Sequence, residues 1–270
     1  MRKISSTILS LFILSVFCFP QLSFSESKKE KSNSPKEITV VAASDLKFVL
    51  PEIISEFQKS RPDVTVKPIF GSSGNFFAQI SSKAPFDLFL SADIDYPRKL
   101  IDQGLGVKNS DFMYAIGRIV VWVPKTSKIN VTKEGIKSLL DPSIKKIAIA
   151  NPEHAPYGRA AEAAMKKANI YDKIKDRLVL GENITQTAQY VETGAADIGI
   201  IALSLAVAPA MKDKGSYFEI PLDSYPKMEQ GGMITSYTTQ RESAEALREF
   251  LLGKQSRAIF DTYGFLLPTK

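Results

Sequence analysis

Small hydroxyl and amide residues recur where an apolar, strand-like segment gives way to a helical pattern. Ser44 follows the run "ITVVAA", Ser73 follows "VKPIFGS", and Tyr157 lies in "AIANPEHAPYGRAA". Asn183 begins a helical segment with Gln186 three residues later, the spacing of a capping box. A helix N-terminus offers free N–H donors and about half a positive charge. Four such junctions predict an anion site built from neutral donors.

The strength of such a site can be judged from its hydrogen bonds. Each bond to a charged group contributes about 1.5–3 kcal/mol. Four to six of them, less the cost of ordering, reach the roughly 8–12 kcal/mol of micromolar to nanomolar binding. For any single junction, the alternative is that the serine only caps its helix.

Strand-like and helix-like segments alternate along the chain, which is typical of doubly wound α/β sheets. The apolar run Ile38–Ala42 leads into a helix predicted near Leu46–Ser60, and another strand is predicted over Gly231–Tyr237. Ligands of such folds bind beyond the carboxyl ends of the strands, near helix N-termini. The predicted junctions therefore belong at one edge of each sheet.

The first residues have the features of an export signal. Arg2 and Lys3 precede an apolar run, Ile8–Phe19, that is too short to span a bilayer. The small residues "SFS" then predict cleavage after Ser25. Lipid attachment at Cys18 is the less favoured alternative, because Phe17 stands where a small residue is needed. Removal of this segment would leave a mature chain without cysteine, which excludes disulfides and thiol chemistry.

Composition excludes several classes of function. The formal net charge is +6, but the lysines are scattered and no arginine-rich stripe alternates with aromatics, so nucleic acid is not an expected partner. The segment "GSSGN" differs from the G-x-S-x-G motif of hydrolases at Asn75. His154 is the only histidine and has no carboxylate at a recognisable spacing, so we expect it to be structural. The chain is therefore not expected to be an enzyme.

Several segments, in this order and spacing, resemble the periplasmic molybdate-binding proteins that capture anions for molybdate importers. They are "VAASDLKFVLPEI", "FGSSGNFFAQI", "DLFLSAD", "NPEHAPYG", "GENITQTAQYVETGAADIGIIALS" and "FDTYGFLLP". The resemblance covers about Ile38 to Leu267. It implies a two-lobe periplasmic binding protein of type II, in which each lobe is a doubly wound, mainly parallel sheet flanked by helices.

The resemblance also implies the organisation of the chain. We expect a signal peptide at 1–25, a flexible leader at 26–37, lobe one at 38–114 plus 231–270, and lobe two at 115–230. Two hinge connections are expected, near Ala115–Gly117 and near Tyr225–Gln230.

Four ligand positions follow from the resemblance. Ser44 and Ser73 would bind the anion through hydroxyl and backbone N–H groups, and Tyr157 and Ile184 through backbone N–H groups. Molybdenum would be present only within the oxyanion held by these residues, so no separate metal site and no cofactor are expected. The Ile184 side chain should tolerate change.

The sequence departs from the family pattern at Ala202, where some members place an oxyanion-binding tyrosine. The Tyr157 phenol is a candidate replacement. Asp45 is expected to be an acidic first-turn residue that points away from the pocket.

The resemblance therefore implies extracytoplasmic capture of molybdate, and of tungstate, by a monomer that delivers the anion to the permease and ATPase of an ABC importer. The expected location is the periplasm, with a membrane tether left open. The alternatives are a binding protein for sulfate or phosphate and, less favoured, a periplasmic hydrolase.

Overall fold

Two five-stranded sheets form the framework of the part of the chain that the computed structural model describes, residues 36–269. The first sheet has the order β2-β1-β3-β10-β4, with strands β1 (Lys36–Ala43), β2 (Val64–Gly71), β3 (Leu88–Ser91), β4 (Phe112–Gly117) and β10 (Met228–Ile234). The second has the order β7-β6-β8-β5-β9, with strands β5 (Ile119–Pro124), β6 (Ile147–Ala150), β7 (Leu178–Gly181), β8 (Ile198–Ala202) and β9 (Gly215–Glu219).

Each sheet is mixed rather than mainly parallel. Strand β1 pairs in parallel with β2 and β3, whereas β10 is antiparallel to β3 and β4. The second sheet repeats this arrangement, because β6 is parallel to β7 and β8 while β5 is antiparallel to β8 and β9. The antiparallel pairs arise where the chain passes from one sheet to the other and back, since β4, β5 and β10 flank those passages. The predicted α/β class is confirmed.

Helices flank both sheets. Their bounds are α1 (Val49–Ser60), α2 (Ser73–Ser81), α3 (Asp95–Asp102), α4 (Val131–Glu134), α5 (Pro156–Lys167), α6 (Tyr171–Ile174), α7 (Ile184–Glu192), α8 (Leu203–Ala206), α9 (Arg241–Leu252) and α10 (Lys254–Thr262). Short 3-10 turns occupy Ser44–Leu46, Gly135–Leu140, Lys175–Arg177 and Leu222–Ser224. The helix predicted from Leu46 therefore begins three residues later, because a 3-10 turn separates it from β1.

The core explains why the strands read as continuous apolar runs. Successive residues of β1 point to opposite faces, so Val40 joins the cluster beneath α1, α9 and α10, while Val41 packs with Phe76 of α2 and Leu100 of α3. A separate cluster around Trp122 fills the second sheet and its helices. Burial on both faces requires apolar residues at every strand position.

The chain passes directly from β4 to β5 at Arg118 and returns through residues 220–227 to β10. Both predicted hinge regions lie at or beside these two passages, and the lobe boundaries stay a prediction. In the described residues, no helix is long and apolar enough to cross a membrane. The predicted signal peptide, the Cys18 alternative and nearly all of the predicted leader lie outside the described residues.

Candidate functional site

All four predicted ligand residues line one small, partly enclosed cavity at the boundary between the two sheets. The lining residues are Ala43, Ser44, Asp45, Gly71, Ser72, Ser73, Ala92, Ala155, Pro156, Tyr157 and Ile184. They come from the ends of β1, β2 and β3 and from the starts of α2, α5 and α7. Among these described residues none is a lysine, arginine or histidine, so the donors at this cavity are neutral.

Ser44 joins the two sheets directly. It begins the 3-10 turn after β1, and its Oγ donates to Oδ1 of Asn183 at 3.1 Å while accepting from the N–H of Thr185 at 3.3 Å. The Thr185 hydroxyl returns a bond to the Ser44 carbonyl at 2.8 Å. These bonds hold the start of α7 against the end of β1. The cavity volume is accordingly only about 10 Å³, room for about one water-sized sphere.

Ser73 is the first residue of α2 and is almost fully buried. Capping of this helix falls to Ser72, whose Oγ accepts from the N–H of Asn75 at 3.4 Å. The Ser73 Oγ instead accepts from the N–H of Ala92 at 2.9 Å, which leaves its own hydrogen as a donor. The residue that caps α2 is therefore Ser72, and Ser73 does not have the capping role that was its alternative.

Tyr157 is the second residue of α5, after Pro156 at the first position. Its N–H belongs to the first turn, which has no acceptor within the helix. Gly158 allows α5 to approach β6, because a Cβ there would lie 2.1 Å from the carbonyl oxygen of Ala150. This close contact fixes the helix N-terminus at the cavity.

The phenol of Tyr157 is already engaged elsewhere. Its oxygen donates to Oδ2 of Asp45 at 2.8 Å and accepts from Nε2 of Gln230 at 3.0 Å. Burial, together with the charge of Asp45, raises the pKa of Tyr157 well above its ordinary value. The phenol is therefore a hydrogen-bonding group at every physiological pH.

Ile184 opens α7, and its N–H likewise has no acceptor within the helix. Asn183 caps the helix by accepting from the N–H groups of Thr185 and Gln186, each at 3.1 Å. In the predicted capping box, the Gln186 side chain would accept a bond from the N–H of Asn183. It accepts instead from the N–H of the preceding residue, Glu182, at 2.6 Å. The Ile184 side chain is 3% exposed and belongs to the core of the second sheet, so its replacement should affect stability, while its tolerance for ligand binding stays a prediction.

Asp45 was expected to turn away from this cavity, yet it is one of its lining residues and only 1% exposed. Its Oδ2 accepts from Tyr157 Oη and from Gln230 Nε2, the latter at 2.7 Å. Burial raises the pKa of the Asp45 carboxyl to about 6, although the bonds from Gln230 and Tyr157 act to lower it. The expectation failed because α5 and β10 cover a side chain that local sequence alone would place in solvent.

Ala202 ends β8 and is fully buried, with no polar group to offer. Two residues later, the Ser204 hydroxyl donates to the carbonyl of Asp45 at 2.9 Å. His154 lies outside the cavity lining, and its Nε2 is 3.0 Å from the carbonyl oxygen of Glu182. Among the described residues, no group of three or more metal-ligating side chains was found.

Two residues of this region were not predicted from the sequence. Thr185 contacts Ser44 through both its N–H and its hydroxyl. Gln230 is fully buried in β10, at an irregularity of the ladder between Gln230 and Gly231. The pair of glycines that follows Gln230 is the one local signal that could have indicated a bulge there.

Comparison with known proteins supplies independent findings. The family model described as "Bacterial extracellular solute-binding protein" matches residues 38–266. The molybdate-binding protein ModA of Rhodobacter capsulatus is 33% identical over 228 residues, covering 84% of this chain and 88% of that protein. The solved structure of the periplasmic molybdate-binding protein of Azotobacter vinelandii aligns with a TM-score of 0.81 at 32% identity, covering 86% of this chain and 100% of that one.

A more distant structure shares the fold alone. The sulfate-binding protein SubI of Mycobacterium tuberculosis aligns with a TM-score of 0.72 at 17% identity, covering 85% of this chain and 86% of that chain. The fold is thus shared by proteins named for molybdate and by one named for sulfate.

Proposed function

The chain belongs to the bacterial extracellular solute-binding protein family, and we propose that the solute it captures is molybdate. The family is one of binding proteins, so the chain is not an enzyme and its function requires no cofactor. The relatives at 32–33% identity carry molybdate in their names, which supports the same ligand here. Delivery to an ABC importer follows from this role.

The observation that carries the proposal is the convergence of helix N-termini on one cavity without a cationic side chain. Ser73, Tyr157 and Ile184 each lie in the first turn of a different helix, and Ser44 opens a 3-10 turn beside them. Their first-turn N–H groups have no acceptor within the helix, and a bound oxyanion would supply one. Hydroxyl hydrogens from the two serines complete a set of neutral donors suited to a dianion.

The bonds between Ser44 and α7 indicate how the anion enters. Ser44 Oγ, Asn183 Oδ1 and the Thr185 N–H satisfy one another across the cleft. A tetrahedral oxyanion is larger than the present cavity, so binding requires these groups to separate and the N–H and hydroxyl donors to turn toward the anion. The Ser44–α7 contact thus occupies the place where the ligand bonds would form.

Closure of two lobes around the ligand is part of the proposal. We place lobe one at 38–114 plus 231–270 and lobe two at 115–230, with hinges near Ala115–Gly117 and Tyr225–Gln230. The first sheet supplies Ser44 and Ser73, and the second carries Tyr157 and Ile184 through α5 and α7. An anion that contacts both sets favours the closed form through its differential contacts.

The partners and location follow from the family. We propose that the protein acts as an exported monomer in the periplasm. Tungstate would share the site, because it closely matches molybdate in size and charge. The bound anion would be delivered to an ABC importer, which consists of a permease and its ATPase.

Sulfate and phosphate are the alternative ligands, because each is a tetrahedral oxyanion that a site of neutral donors could hold. A calorimetric titration of the purified mature protein with sodium molybdate tests the proposal. One-to-one binding at micromolar or lower concentration is expected, and heat only from sulfate or phosphate would overturn it. A chromogenic ester assay is expected to show no turnover, since a hydrolase would release the dye.

A further inference from the structure

The cluster of Asp45, Tyr157 and Gln230 stands directly behind the proposed anion site. Asp45 is contributed by the turn after β1, Tyr157 by α5 and Gln230 by β10, so the cluster joins two strands of the first sheet to a helix of the second. All three side chains are almost completely buried. Asp45 also lines the cavity beside Ser44 and Ser73, so its charge acts directly on a bound anion.

Two acceptor atoms of this cluster have no partner. Oδ1 of Asp45 and Oε1 of Gln230 are both buried, and neither makes a hydrogen bond of normal geometry with the residues that the structure describes. The backbone N–H groups of Asp45 and Leu46 face the Asp45 carboxyl and act to lower its pKa, but burial outweighs them. A buried acceptor without a donor is costly, and the cost is larger for a charged carboxylate. The cluster therefore has more hydrogen-bond acceptors than donors while Asp45 is ionised.

No cation near Asp45 offsets its charge in the described structure. The titratable groups that face it are the phenols of Tyr157 and Tyr114, which come from α5 and β4. Gln230 of β10 contributes a neutral carboxamide, and Ser204 binds the backbone carbonyl of Asp45. The nearby Arg159 of α5 is paired with Asp93 at 2.7 Å and with the Tyr96 hydroxyl at 3.2 Å.

We propose that Asp45 is a neutral carboxylic acid whenever a dianion fills the closed site, so that capture of one anion takes up one proton from solvent. This inference rests on the proposed oxyanion-binding function. An ionised Asp45 beside a dianion would place three negative charges in one buried region without a lysine or arginine. Protonation removes the repulsion and supplies the missing hydrogen.

Either carboxyl oxygen can carry the proton with a useful result. On Oδ1, the proton turns the unpaired acceptor into a donor. On Oδ2, the proton is donated to Tyr157 Oη across the existing 2.8 Å contact, and the Tyr157 hydroxyl hydrogen becomes available to an anion oxygen. In both cases Asp45 presents no negative charge to the anion and one more hydrogen becomes available as a donor, so Asp45 acts as a specificity-determining residue.

The coupling has a defined pH range. Burial raises the pKa of Asp45 to about 6 in the free protein, so the carboxyl is mostly ionised at pH 8. Binding at pH 8 must then restore the proton, and the affinity for molybdate should fall by about tenfold for each pH unit above this value. Near pH 5, Asp45 already carries the proton, and binding should take up little or none.

The test is calorimetric titration with sodium molybdate at pH 8 in two buffers of different ionisation enthalpy. The difference in heat counts the protons bound, and we expect a value near one for the wild-type protein. A count near zero, with tight binding, would overturn the inference while leaving the proposed function intact. Absence of molybdate binding in either buffer would instead overturn the proposed function, and the inference with it.

Two variants locate the proton. Asp45→Asn keeps an acceptor and adds a permanent donor, so we expect proton uptake to vanish and the dissociation constant at pH 9 to be at least tenfold lower than in the wild type. His154→Gln is the matched control at the cleft rim, and its proton count should stay near one. A count that vanishes in His154→Gln and persists in Asp45→Asn would assign the proton to His154 and contradict the inference.

Discussion

The phenol oxygen of Tyr157 lies 2.8 Å from Oδ2 of Asp45, although the two residues belong to helices and turns attached to different sheets. Gln230 Nε2 bonds to both partners, which closes a three-membered cluster beside the cavity. The cluster fixes the N-terminus of α5 relative to the end of β1. It therefore links the electrostatics of Asp45 to the geometry of the donors.

Asp45→Asn should stabilise the free protein, and more so at high pH. The Asp45 pKa is raised from 3.8 to about 6, so the native state binds more protons than the unfolded state between these values. Wild-type stability therefore falls as the pH rises from about 4 to about 6, by about 3 kcal/mol in total, and stays constant above that range. Urea unfolding of both proteins at pH 4.5 and pH 8 should show the advantage of the variant growing by about 2 kcal/mol, because about a third of the total loss has already occurred at pH 4.5.

Asp63→Asn is a control for which the stability difference from wild type should change with pH in the opposite direction. The guanidinium of Arg61 holds the pKa of the exposed Asp63 carboxyl below its usual value. Its ionised form is therefore the stabilising one, and the variant should lose stability relative to wild type as the pH rises. An Asp45→Asn difference that does not depend on pH would mean that the carboxyl is not buried as described.

Ser44→Ala and Ser73→Ala should each weaken molybdate binding by about 1.5–3 kcal/mol, because each removes a bond to a charged ligand. Titration calorimetry measures the loss. Ser110→Ala is a matched control, since Ser110 Oγ accepts from the N–H of Ile234 at 3.2 Å just as Ser73 Oγ accepts from Ala92, yet Ser110 does not line the cavity. Equal affinities for the Ser73 and Ser110 variants would show that Ser73 is not a ligand.

Ile184→Ala should lower the free energy of unfolding by about 2–5 kcal/mol, since it empties part of the core beneath α7. The anion contact is made by the N–H, so the dissociation constant for molybdate should change less than tenfold at a temperature where the variant is folded. Ile149→Ala, in the same core but away from the cavity, is the control for general loosening. Loss of binding in the Ile184 variant alone would show that its side chain shapes the site.

Molybdate should reduce the radius of gyration measured by small-angle scattering. We expect open forms, in which Ser44 and α7 are separated, to be populated in the free protein, and the anion shifts the population toward the closed form because it contacts donors carried by both sheets. The double variant Ser44→Ala, Ser73→Ala should show no such change at the same anion concentration. Wild-type scattering that is identical with and without molybdate would contradict closure by hinge motion.

Local sequence predicted the strand-to-helix junctions that form the cavity. Ser73, Tyr157 and Ile184 lie in the first turns of helices that follow strands, and that pattern can be read along the chain. The junctions that form the cavity can therefore be predicted from local sequence, whereas the individual donors were implied only by the resemblance to molybdate-binding proteins. The α/β class followed from the same alternation of apolar strands and amphipathic helices.

The cluster behind the site could not be predicted in this way. Asp45 and Gln230 are 185 residues apart, and they meet because β10 returns to pair with β3 beside β1. The burial of Asp45 likewise depends on α5, which arrives from the second sheet. Antiparallel pairing of β10 and β5 is equally a consequence of where the chain crosses between sheets, which no local period reveals.

The selectivity among oxyanions tests the central claim most directly. A site of donors alone, with Asp45 neutral, suits anions that carry no proton at neutral pH, whereas phosphate keeps a proton that would lack an acceptor. An unpaired buried polar group costs about 1–3 kcal/mol, so phosphate should bind roughly tenfold or more weakly. Calorimetry with molybdate, tungstate, sulfate and phosphate at one pH should place molybdate and tungstate first, sulfate behind them and phosphate last. Tighter binding of phosphate than of molybdate would mean that an ionised Asp45 accepts the phosphate proton, and would contradict the account.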